Sequence, residues 1–285
     1  MAAVAILTPS PSDEAYRGRW RDVLERNFEP LRDAGFEVES RSWIEAGDLT
    51  GFSVVMPLLV WGYHRDQPLW LEAIDRWEAE CVRLLNPPSV LRWNGDKSYV
   101  GVLGERGAPA VPTVYVERVT EAALRGAAAS FGTKRLVAKP LVSSTAYKTI
   151  RWPRDPLEEG PDGAAMIQPY LPRIETDGEI SLIYFGGCYS HAIRKVPQPG
   201  EFRVQPEYDG VIASHEPAAD ELAAAERILA VVEEELLYAR VDLVRGLGGE
   251  PELIELELIE PDLYLGYDAG GGAAWASAVR AAARA

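Results

Sequence analysis

Residues 253–260, with the sequence LIELELIE, form the most constraining pattern in this 285-residue chain. Side chains of a β-strand point alternately to its two faces, so Ile254, Leu256 and Leu258 share one face while Glu255 and Glu257 share the other. Two carboxylates about 7 Å apart could share one divalent cation or hold a pair. The alternative is a half-exposed strand whose acidic face is solvated.

A third carboxylate lies shortly before this strand. Residues 238–244, YARVDLV, predict a neighbouring strand that carries Asp242. Three carboxylates on two adjacent strands would suit a Mg²⁺ site, because hard cations prefer oxygen ligands. The rest of the chain must decide between this site and a solvated face.

Composition excludes several classes of partner. The net charge of -15 argues against a nucleic-acid backbone or an anionic membrane surface, since both need clustered Lys and Arg. No apolar run approaches the ~18 residues of a membrane span. The apolar residues 2–7 lack a preceding basic stretch, which favours a first strand over a signal peptide. Two isolated cysteines fit a reducing compartment, so we expect a cytoplasmic protein.

The first part of the chain predicts alternating strands and helices. Strands are expected at residues 4–7, 36–39 and 54–60, and helices at 13–34 and 68–83. This order is typical of a parallel sheet covered by helices, and we assign it to a first domain of residues 1–94. Ligands of such sheets bind beyond the carboxyl ends of the strands, here near residues 8–12 and 61–64.

The remainder predicts two further units, at residues 95–168 and 169–285. The first is a small α+β unit that ends at a proline-flanked linker, residues 166–172. The second begins with a hairpin through Gly186 and Gly187 and ends in an alanine-rich helix. We expect the elements of the two units together to be helices 95–107, 120–130, 218–236 and 272–285, and strands 113–116, 136–139, 181–185, 188–196, 238–244 and 253–260.

The chain has no phosphate-binding loop of the GxxxxGK[ST] type and no zinc spacing, but four of its 29 Lys and Arg residues stand out as candidates for an anion site. Lys97 stands at a predicted helix start, Lys195 on a hairpin strand, and Arg203 in the segment KVPQPGEFR. A lone lysine is usually solvated. Lys139 differs because it ends a strand that is otherwise apolar, and a buried lysine needs an anionic partner.

The order of these features resembles the ATP-grasp superfamily over residues 86–262. It is most similar to the branch of glutathione synthetase and the ribosomal-protein glutamate ligases, and within it to the O-ureido-serine cyclo-ligase type of cycloserine biosynthesis. The resemblance implies a fold of mixed α/β and α+β class. A parallel α/β N-domain would precede a small central lid and a C-terminal α+β domain, with ATP between the last two.

The resemblance also implies roles for individual residues. Lys97 and Lys139 would contact ATP phosphates under a loop with Ser143, Ser144 and Thr145. The adenine hinge would comprise Gln168, Tyr170 and Leu171, and Glu179 would bind ribose. Lys195 and Arg203 would be the catalytic cations, with Arg203 facing the transition state because its bidentate fork suits a phosphoryl group. Asp242, Glu255 and Glu257 would bind two Mg²⁺ ions, for which Mn²⁺ could substitute.

Three departures from the family pattern stand out. The usual glycine-rich loop is here SSTAYK, so hydroxyls and Lys148 replace bare backbone amides. The usual Glu-x-Asn pair is Glu255-x-Glu257, which adds a negative charge to the metal site. Ser181 stands where glutathione synthetase has a basic residue, so we do not expect glutathione as the product.

The implied function is ATP- and Mg²⁺-dependent ligation of a carboxylate to an amine through an acyl phosphate. The substrate would be small and amino-acid-like, and ring closure within one molecule is one form of the reaction. Tyr63, His64 and Glu260 are the candidate substrate residues, although a surface histidine and a structural cap remain alternatives. A nucleotide-binding protein or phosphotransferase without ligase activity is the alternative function. We expect a homodimer or homotetramer.

Overall fold

The computed structural model describes residues 2–16, 18–198, 200–201, 203–204 and 210–284. Within these ranges, three sheets and seven α-helices make up a mixed α/β and α+β fold, as expected. None of the described helices is long and apolar enough to cross a membrane. The domain boundaries after residues 94 and 168 stay predictions.

The N-terminal sheet is parallel, as the strand–helix alternation predicts. Its strands are β1 (Ala3–Thr8), β2 (Glu37–Ser42) and β3 (Val54–Met56), in the order β2-β1-β3. Helices α1 (Arg19–Asp33) and α2 (Gln67–Ala79) belong to this part of the chain.

Three predicted boundaries in this region are wrong. Helix α1 starts at Arg19 instead of residue 13, because Gly18 has a φ of 81° and separates it from a helical turn at Glu14–Tyr16. Strand β3 ends at Met56, yet Leu58 and Val60 are fully buried in the core, which explains why the apolar run continues. Helix α2 ends four residues before the predicted residue 83.

The segment after the N-terminal sheet forms two short helices, α3 (Pro88–Asn94) and α4 (Tyr99–Glu105). We expected one helix at residues 95–107, which is wrong because α4 spans only Tyr99–Glu105 and a separate helix precedes it. Proline is favourable in the first turn of a helix, so Pro88 starts α3. Tyr99 and Leu103 of α4 pack in the same apolar cluster as Leu182, which belongs to the C-terminal sheet.

The lid is a four-stranded antiparallel sheet with one helix. Its elements are β4 (Val114–Val116), α5 (Glu121–Phe131), β5 (Leu136–Pro140), β6 (Ile150–Trp152) and β7 (Ala165–Pro169), and the strand order is β4-β7-β5-β6. The prediction of a linker at residues 166–172 is wrong for residues 166–169, which belong to β7. Strand β7 is buried along its whole length and pairs on both sides, with its proline at the last position.

The C-terminal sheet is antiparallel and contains the predicted glycine hairpin. Its elements are β8 (Glu179–Phe185), β9 (Cys188–Val196), β10 (Val211–His215), α6 (Ala219–Leu229), β11 (Tyr238–Arg245), β12 (Pro251–Glu257) and α7 (Ala273–Ala282). The strand order is β10-β9-β8-β11-β12. Helix α6 ends at Leu229, seven residues before the predicted residue 236.

The predicted alternation along β12 is interrupted by a β-bulge. Asp242 pairs with Glu255 and Leu243 pairs with Leu253, so Ile254 has no opposite residue. Leu253, Leu256 and Leu258 therefore occupy the apolar core, whereas Ile254 packs with Leu171 and Val244. Our assignment of Ile254 to the same face as Leu256 is wrong for this reason.

Strand β12 lies at the edge of its sheet, and buried side chains satisfy its outer backbone groups. The Asn94 amide donates to the Leu256 carbonyl at 2.8 Å and accepts from the Leu258 N–H at 2.9 Å. The Tyr99 hydroxyl accepts from the Leu256 N–H at 2.9 Å. These contacts fix the strand on both sides of Glu257.

Candidate functional site

A cavity of about 760 Å³ is lined by residues of the lid sheet, of the C-terminal sheet and of the segment that follows β3. This volume is within the range of small-molecule and cofactor sites. The cavity brings together every candidate site residue named above, namely Tyr63, His64, Lys97, Lys139, Ser143, Ser144, Thr145, Gln168, Tyr170, Leu171, Glu179, Lys195, Arg203, Asp242, Glu255, Glu257 and Glu260.

The three predicted metal ligands form one cluster. Carboxylate oxygens of Asp242, Glu255 and Glu257 all lie within 4.8 Å of one another. Asp242 is buried, and Ser181 donates a hydrogen bond of 2.5 Å to its Oδ1. Three converging carboxylates are a donor set that fits Mg²⁺, and such a cluster is costly unless cations compensate it.

Cations from two directions compensate the cluster. The Lys97 Nζ lies 3.0 Å from Glu255 Oε1 and donates to the Ser143 carbonyl at 2.7 Å. The buried Lys195 Nζ lies 2.6 Å from Glu179 and 3.6 Å from Asp242. Burial alone would lower the pKa of both lysines, but these carboxylates raise it, so both are charged at neutral pH.

Arg240 is a central residue that we did not predict. Its side chain is buried, it contacts Asp242 through Nε at 3.0 Å and Nη2 at 2.9 Å, and it also contacts Glu257. Arg240 stands two residues before Asp242 on β11, so the period of a strand places both on one face. That spacing could have identified it.

Glu257 has the most perturbed of the three cluster carboxyls. Burial raises its pKa to about 8, helped by Glu255 and Asp242 and opposed by Arg240. The pKa of Glu255, by contrast, is lowered, because Lys97 and Lys139 outweigh the effect of burial. The carboxylate of Glu257, at the position of the usual Asn, is therefore repelled by Glu255 and Asp242, and a bound cation would offset this repulsion.

Lys139 lines the cavity without an ion-pair partner among the described residues. Among the described residues it has no hydrogen bond and no ion pair, and burial lowers its pKa. Nearby, the Gln168 amide donates to the Thr113 hydroxyl at 3.0 Å, and Tyr170 and Leu171 are buried. Val137, Val244 and the bulged Ile254 add apolar surface to the same cavity, which therefore has an apolar part beside a positive charge.

The loop that replaces the family's glycine-rich segment has an unusual backbone. Thr145, Ala146 and Lys148 have φ angles of 50°, 56° and 51°, a region that L-residues rarely adopt. The Ser144 hydroxyl lies 3.2 Å from His64 Nε2, so this loop contacts the N-terminal part of the chain. The loop thus adopts left-handed φ angles although it has no glycine, and the backbone of Thr145, Ala146 and Lys148 is strained as a result.

Aromatic and acidic side chains line the other end of the cavity. Tyr63 is buried against Trp70, with ring centroids 5.3 Å apart, and Tyr16, Trp61 and Tyr264 contribute further rings. Burial, assisted by Arg65 and Lys97, lowers the pKa of His64 to about 4. His64 is therefore neutral at pH 7. Burial and the charge of Glu257 raise the pKa of Glu260 well above its usual range.

Arg203 lines the cavity but is bound by a neighbour, since its Nη2 lies 2.6 Å from Glu201. Pro199 and Phe202 of the segment KVPQPGEFR lie outside the described residues. His191 contacts the Leu263 carbonyl at 2.9 Å and His215 contacts Glu221 at 2.9 Å, and neither lines the cavity.

Comparison with known proteins identifies the family. Residues 4–86 match the model for the N-terminal domain of D-cycloserine synthetase DcsG. The cycloserine biosynthesis protein DcsG of Streptomyces lavendulae is 30% identical over 274 residues, which are 88% of this chain and 91% of that protein.

Solved structures agree with this match. The crystal structure of D-cycloserine synthetase DcsG superposes with a TM-score of 0.83 at 27% identity and covers 99% of both chains. The ATP-grasp ligase PsnB, in a complex with a minimal precursor, Mg and ADP, gives a TM-score of 0.65 at 15% identity over 99% of this chain and 97% of its own. The chain is an ATP-grasp ligase and belongs to the family of the cycloserine biosynthesis protein DcsG.

Proposed function

We propose that this enzyme uses ATP and Mg²⁺ to join a carboxylate to an amine of a small, amino-acid-like substrate through an acyl phosphate. The observation that carries the proposal is the cluster of Asp242, Glu255 and Glu257 beside Lys97 and Arg240 in one cavity. The cluster adjoins a cavity of about 760 Å³ in which Lys139 has no partner among the described residues.

The metal site follows from the donor set. We propose that Asp242, Glu255 and Glu257 hold two Mg²⁺ ions, with Mn²⁺ as a substitute. The ions would neutralise the phosphates and the charge on the transferring phosphoryl group. The raised pKa of Glu257 supports this role, because a bound divalent cation stabilises its ionised form.

The nucleotide would occupy the lid side of the cavity. Lys97 and Lys139 are placed to contact phosphates, together with hydroxyls and amides of the loop that includes Ser143, Ser144 and Thr145. Val137, Leu171 and Ile254 offer apolar contacts for a base, and Gln168 and Tyr170 flank them. We assign Glu179 to the ribose, since its carboxylate is held by Lys195 at the cavity wall.

The first chemical step activates the substrate carboxylate. A carboxylate oxygen attacks the γ-phosphorus of ATP, the bond to the β-γ bridging oxygen breaks, and an acyl phosphate and ADP result. Negative charge spreads over the phosphoryl oxygens. We assign the stabilisation of this charge to Lys195, Arg203 and Arg240, which all line the cavity.

The second step forms the amide. A neutral amine nitrogen attacks the acyl carbon, the bond to phosphate breaks, inorganic phosphate leaves and the nitrogen loses a proton. His64 is neutral at pH 7 and weakly basic, which favours orientation of the nucleophile over proton abstraction. Tyr63 and Glu260 would complete the substrate end of the cavity.

We further propose that the reaction closes a ring within one molecule. The similar protein from Streptomyces lavendulae is named for cycloserine, a small ring in which an acyl carbon is bonded to nitrogen. A cavity of about 760 Å³ shared with a nucleotide leaves room for a small substrate. A cytoplasmic location and a homodimer or homotetramer complete the proposal.

Phosphate release tests this function. The purified enzyme is incubated with ATP and Mg²⁺ over a panel of amino acids, ureido-amino acids and hydroxyamino acids, and phosphate and product are quantified together. We expect one substrate class to give phosphate and amide in equal amounts. Nucleotide binding without substrate-dependent phosphate release across the panel would favour a non-ligase function.

A further inference from the structure

Tyr115 connects the lid sheet to the backbone that presents Lys97. It lies on the edge strand β4, and its hydroxyl accepts a hydrogen bond of 2.8 Å from the Gly101 N–H in the first turn of α4. The same hydroxyl lies 3.4 Å from the carbonyl oxygens of both Lys97 and Ser98. Tyr115 is not among the residues that line the cavity, so any effect on a bound nucleotide must pass through other residues.

Gly101 provides the space that the Tyr115 ring occupies. A Cβ atom at position 101 would lie 2.7 Å from a carbon of this ring and 3.0 Å from its hydroxyl oxygen, closer than such atoms pack. Glycine is unfavourable inside a helix, and Gly101 does not adopt a positive φ that would require it. The contact with Tyr115 is therefore the reason why this position needs a glycine.

The segment that carries Lys97 is bonded to two walls of the cavity. On the side of the proposed metal ligands, the Leu256 N–H donates to the Tyr99 hydroxyl at 2.9 Å. On the lid side, the Lys97 N–H donates at 2.9 Å to the carbonyl of Leu141, the residue that follows β5. The position of Lys97 consequently depends on contacts to the lid as well as on contacts to β12.

The Lys97 side chain bridges the same two walls. Its Nζ lies 3.0 Å from Glu255 Oε1 and donates to the Ser143 carbonyl at 2.7 Å. An ammonium group has three N–H donors, so these two contacts leave one donor for a ligand in the cavity. Hydrogen bonds weaken steeply when distance or angle changes, and a small displacement of α4 relative to the lid would misdirect this donor.

We propose that Tyr115 is a positioning residue for Lys97: by holding Gly101 against the lid, it fixes where the Lys97 ammonium meets the phosphates of a nucleotide. The inference rests on the ATP-dependent function proposed above. It requires that the effect of Tyr115 on nucleotide affinity depends on the charge of Lys97. A tyrosine that only stabilised the fold would act equally whether or not this charge is present.

A double-mutant cycle tests this dependence. The analogue AMP-PNP is titrated by calorimetry, up to millimolar concentration, into the full-length protein saturated with Mg²⁺. Tyr115→Phe keeps the ring and loses only the hydroxyl, so we expect it to weaken binding about fivefold, as the loss of one hydrogen bond predicts. In a Lys97→Gln background, which keeps a donor but removes the charge, the same change should alter the Kd by less than about twofold.

Gly101→Ala tests the contact from its other side. The added methyl group displaces the Tyr115 ring, so we expect AMP-PNP to bind at least about fivefold more weakly than in the wild type. Gly126→Ala is the matched control, because Gly126 lies in the lid helix α5 and an added Cβ has no atom within 4 Å. Tyr189→Phe is the control for the hydroxyl, since Tyr189 is 38% exposed, as against 37% for Tyr115, and does not line the cavity.

Both control variants should bind AMP-PNP as the wild type does. The inference is overturned if Tyr115→Phe binds the analogue with unchanged affinity, if its loss is equally large in the Lys97→Gln background, or if the controls lose as much affinity as Tyr115→Phe and Gly101→Ala. Failure of the wild type to bind AMP-PNP with Mg²⁺ would instead contradict the ATP-dependent function, and the positioning role of Tyr115 with it.

Discussion

Arg240 and Asp242 are bound side by side on strand β11, with Nε and Nη2 of the arginine 3.0 and 2.9 Å from the carboxylate. The same guanidinium contacts Glu257 on β12. A single arginine thus neutralises two proposed metal ligands and faces the cavity beside them. A buried guanidinium between two carboxylates is costly to remove, because two uncompensated charges would remain.

We predict that Arg240→Lys lowers kcat by about 100-fold or more, the loss expected when a preorganised charge in a catalytic site is displaced. Lysine keeps the charge but cannot contact two carboxylates with a planar fork. Arg245→Lys is the control, because Arg245 ends the same strand and pairs with Asp220 and Glu221. Steady-state phosphate release compares the two variants, and equal rates would remove Arg240 from the catalytic site.

The two hydrogen bonds between the Asn94 side chain and the backbone of Leu256 and Leu258 should stabilise the fold as well as fix the geometry of β12. Asn94→Ala leaves the Leu256 carbonyl and the Leu258 N–H without partners, so we expect the free energy of unfolding to fall by about 2–4 kcal/mol. Urea denaturation measures this change. Ser89→Ala is the control, because it removes an exposed hydroxyl and should change the free energy of unfolding by less than about 0.5 kcal/mol. Similar losses for both variants would contradict a stabilising role of the Asn94 hydrogen bonds.

The left-handed turn at Ala146 predicts an unusual effect of glycine. At a φ of 56° an L-residue is strained, so Ala146→Gly should leave stability unchanged or raise it slightly. Ala129→Gly, on the exposed side of helix α5, should cost about 1 kcal/mol. Thermal unfolding of both variants is the measurement. A clear loss for Ala146→Gly would mean that this loop is not left-handed.

His64 should make stability depend on pH in acid. Its pKa of about 4 in the folded chain lies below the ordinary value of 6.5, so the unfolded chain binds more protons between these values. Stability should therefore be complete above pH 6.5 and fall as the pH approaches 4. His64→Gln should flatten this fall in melting temperature, while His191, whose pKa is also lowered, contributes equally to both proteins. Parallel curves would contradict the burial of His64.

Local sequence patterns predicted those parts of the fold that depend on near neighbours. The parallel N-terminal sheet, the hairpin through Gly186 and Gly187, and the strands that carry Asp242 and Glu255 are all present. Each depends on alternation or on turn residues within a few positions. Tertiary packing decided the rest.

Two incorrect predictions have specific physical causes. Proline at the last position of β7 marked a linker in the sequence, but pairing on both sides makes it a central strand. The bulge at Ile254 arises from the register between two strands, which no single strand encodes. The fully buried Asn86 shows the same dependence on distant residues, since it bonds to backbone groups of Leu237, Tyr238 and Leu258. Such long-range contacts leave no local pattern.

The residues expected to bind adenine and metal lie in one cavity, and their roles, like those of Arg203 and Lys195, stay predictions. Arg203 is bound to Glu201, and Lys195 is enclosed by Glu179 and Asp242. Side-chain type and order identified the candidates, whereas their pairing depends on which strands become neighbours. The alternation of β11 places Arg240 on the same face as Asp242, but only the pairing of β11 with β12 brings its second partner, Glu257, beside it.

The central claim is that Asp242, Glu255 and Glu257 bind Mg²⁺ together with a nucleoside triphosphate. Calorimetric titration of the non-hydrolysable analogue AMP-PNP over a series of Mg²⁺ concentrations tests it in the wild type and in Glu257→Gln. We predict that the wild type binds the analogue in a Mg²⁺-dependent manner, and that Glu257→Gln needs about tenfold more Mg²⁺ or more while unfolding at a similar temperature. Identical Mg²⁺ dependence in both proteins, or no binding by the wild type, would contradict the claim.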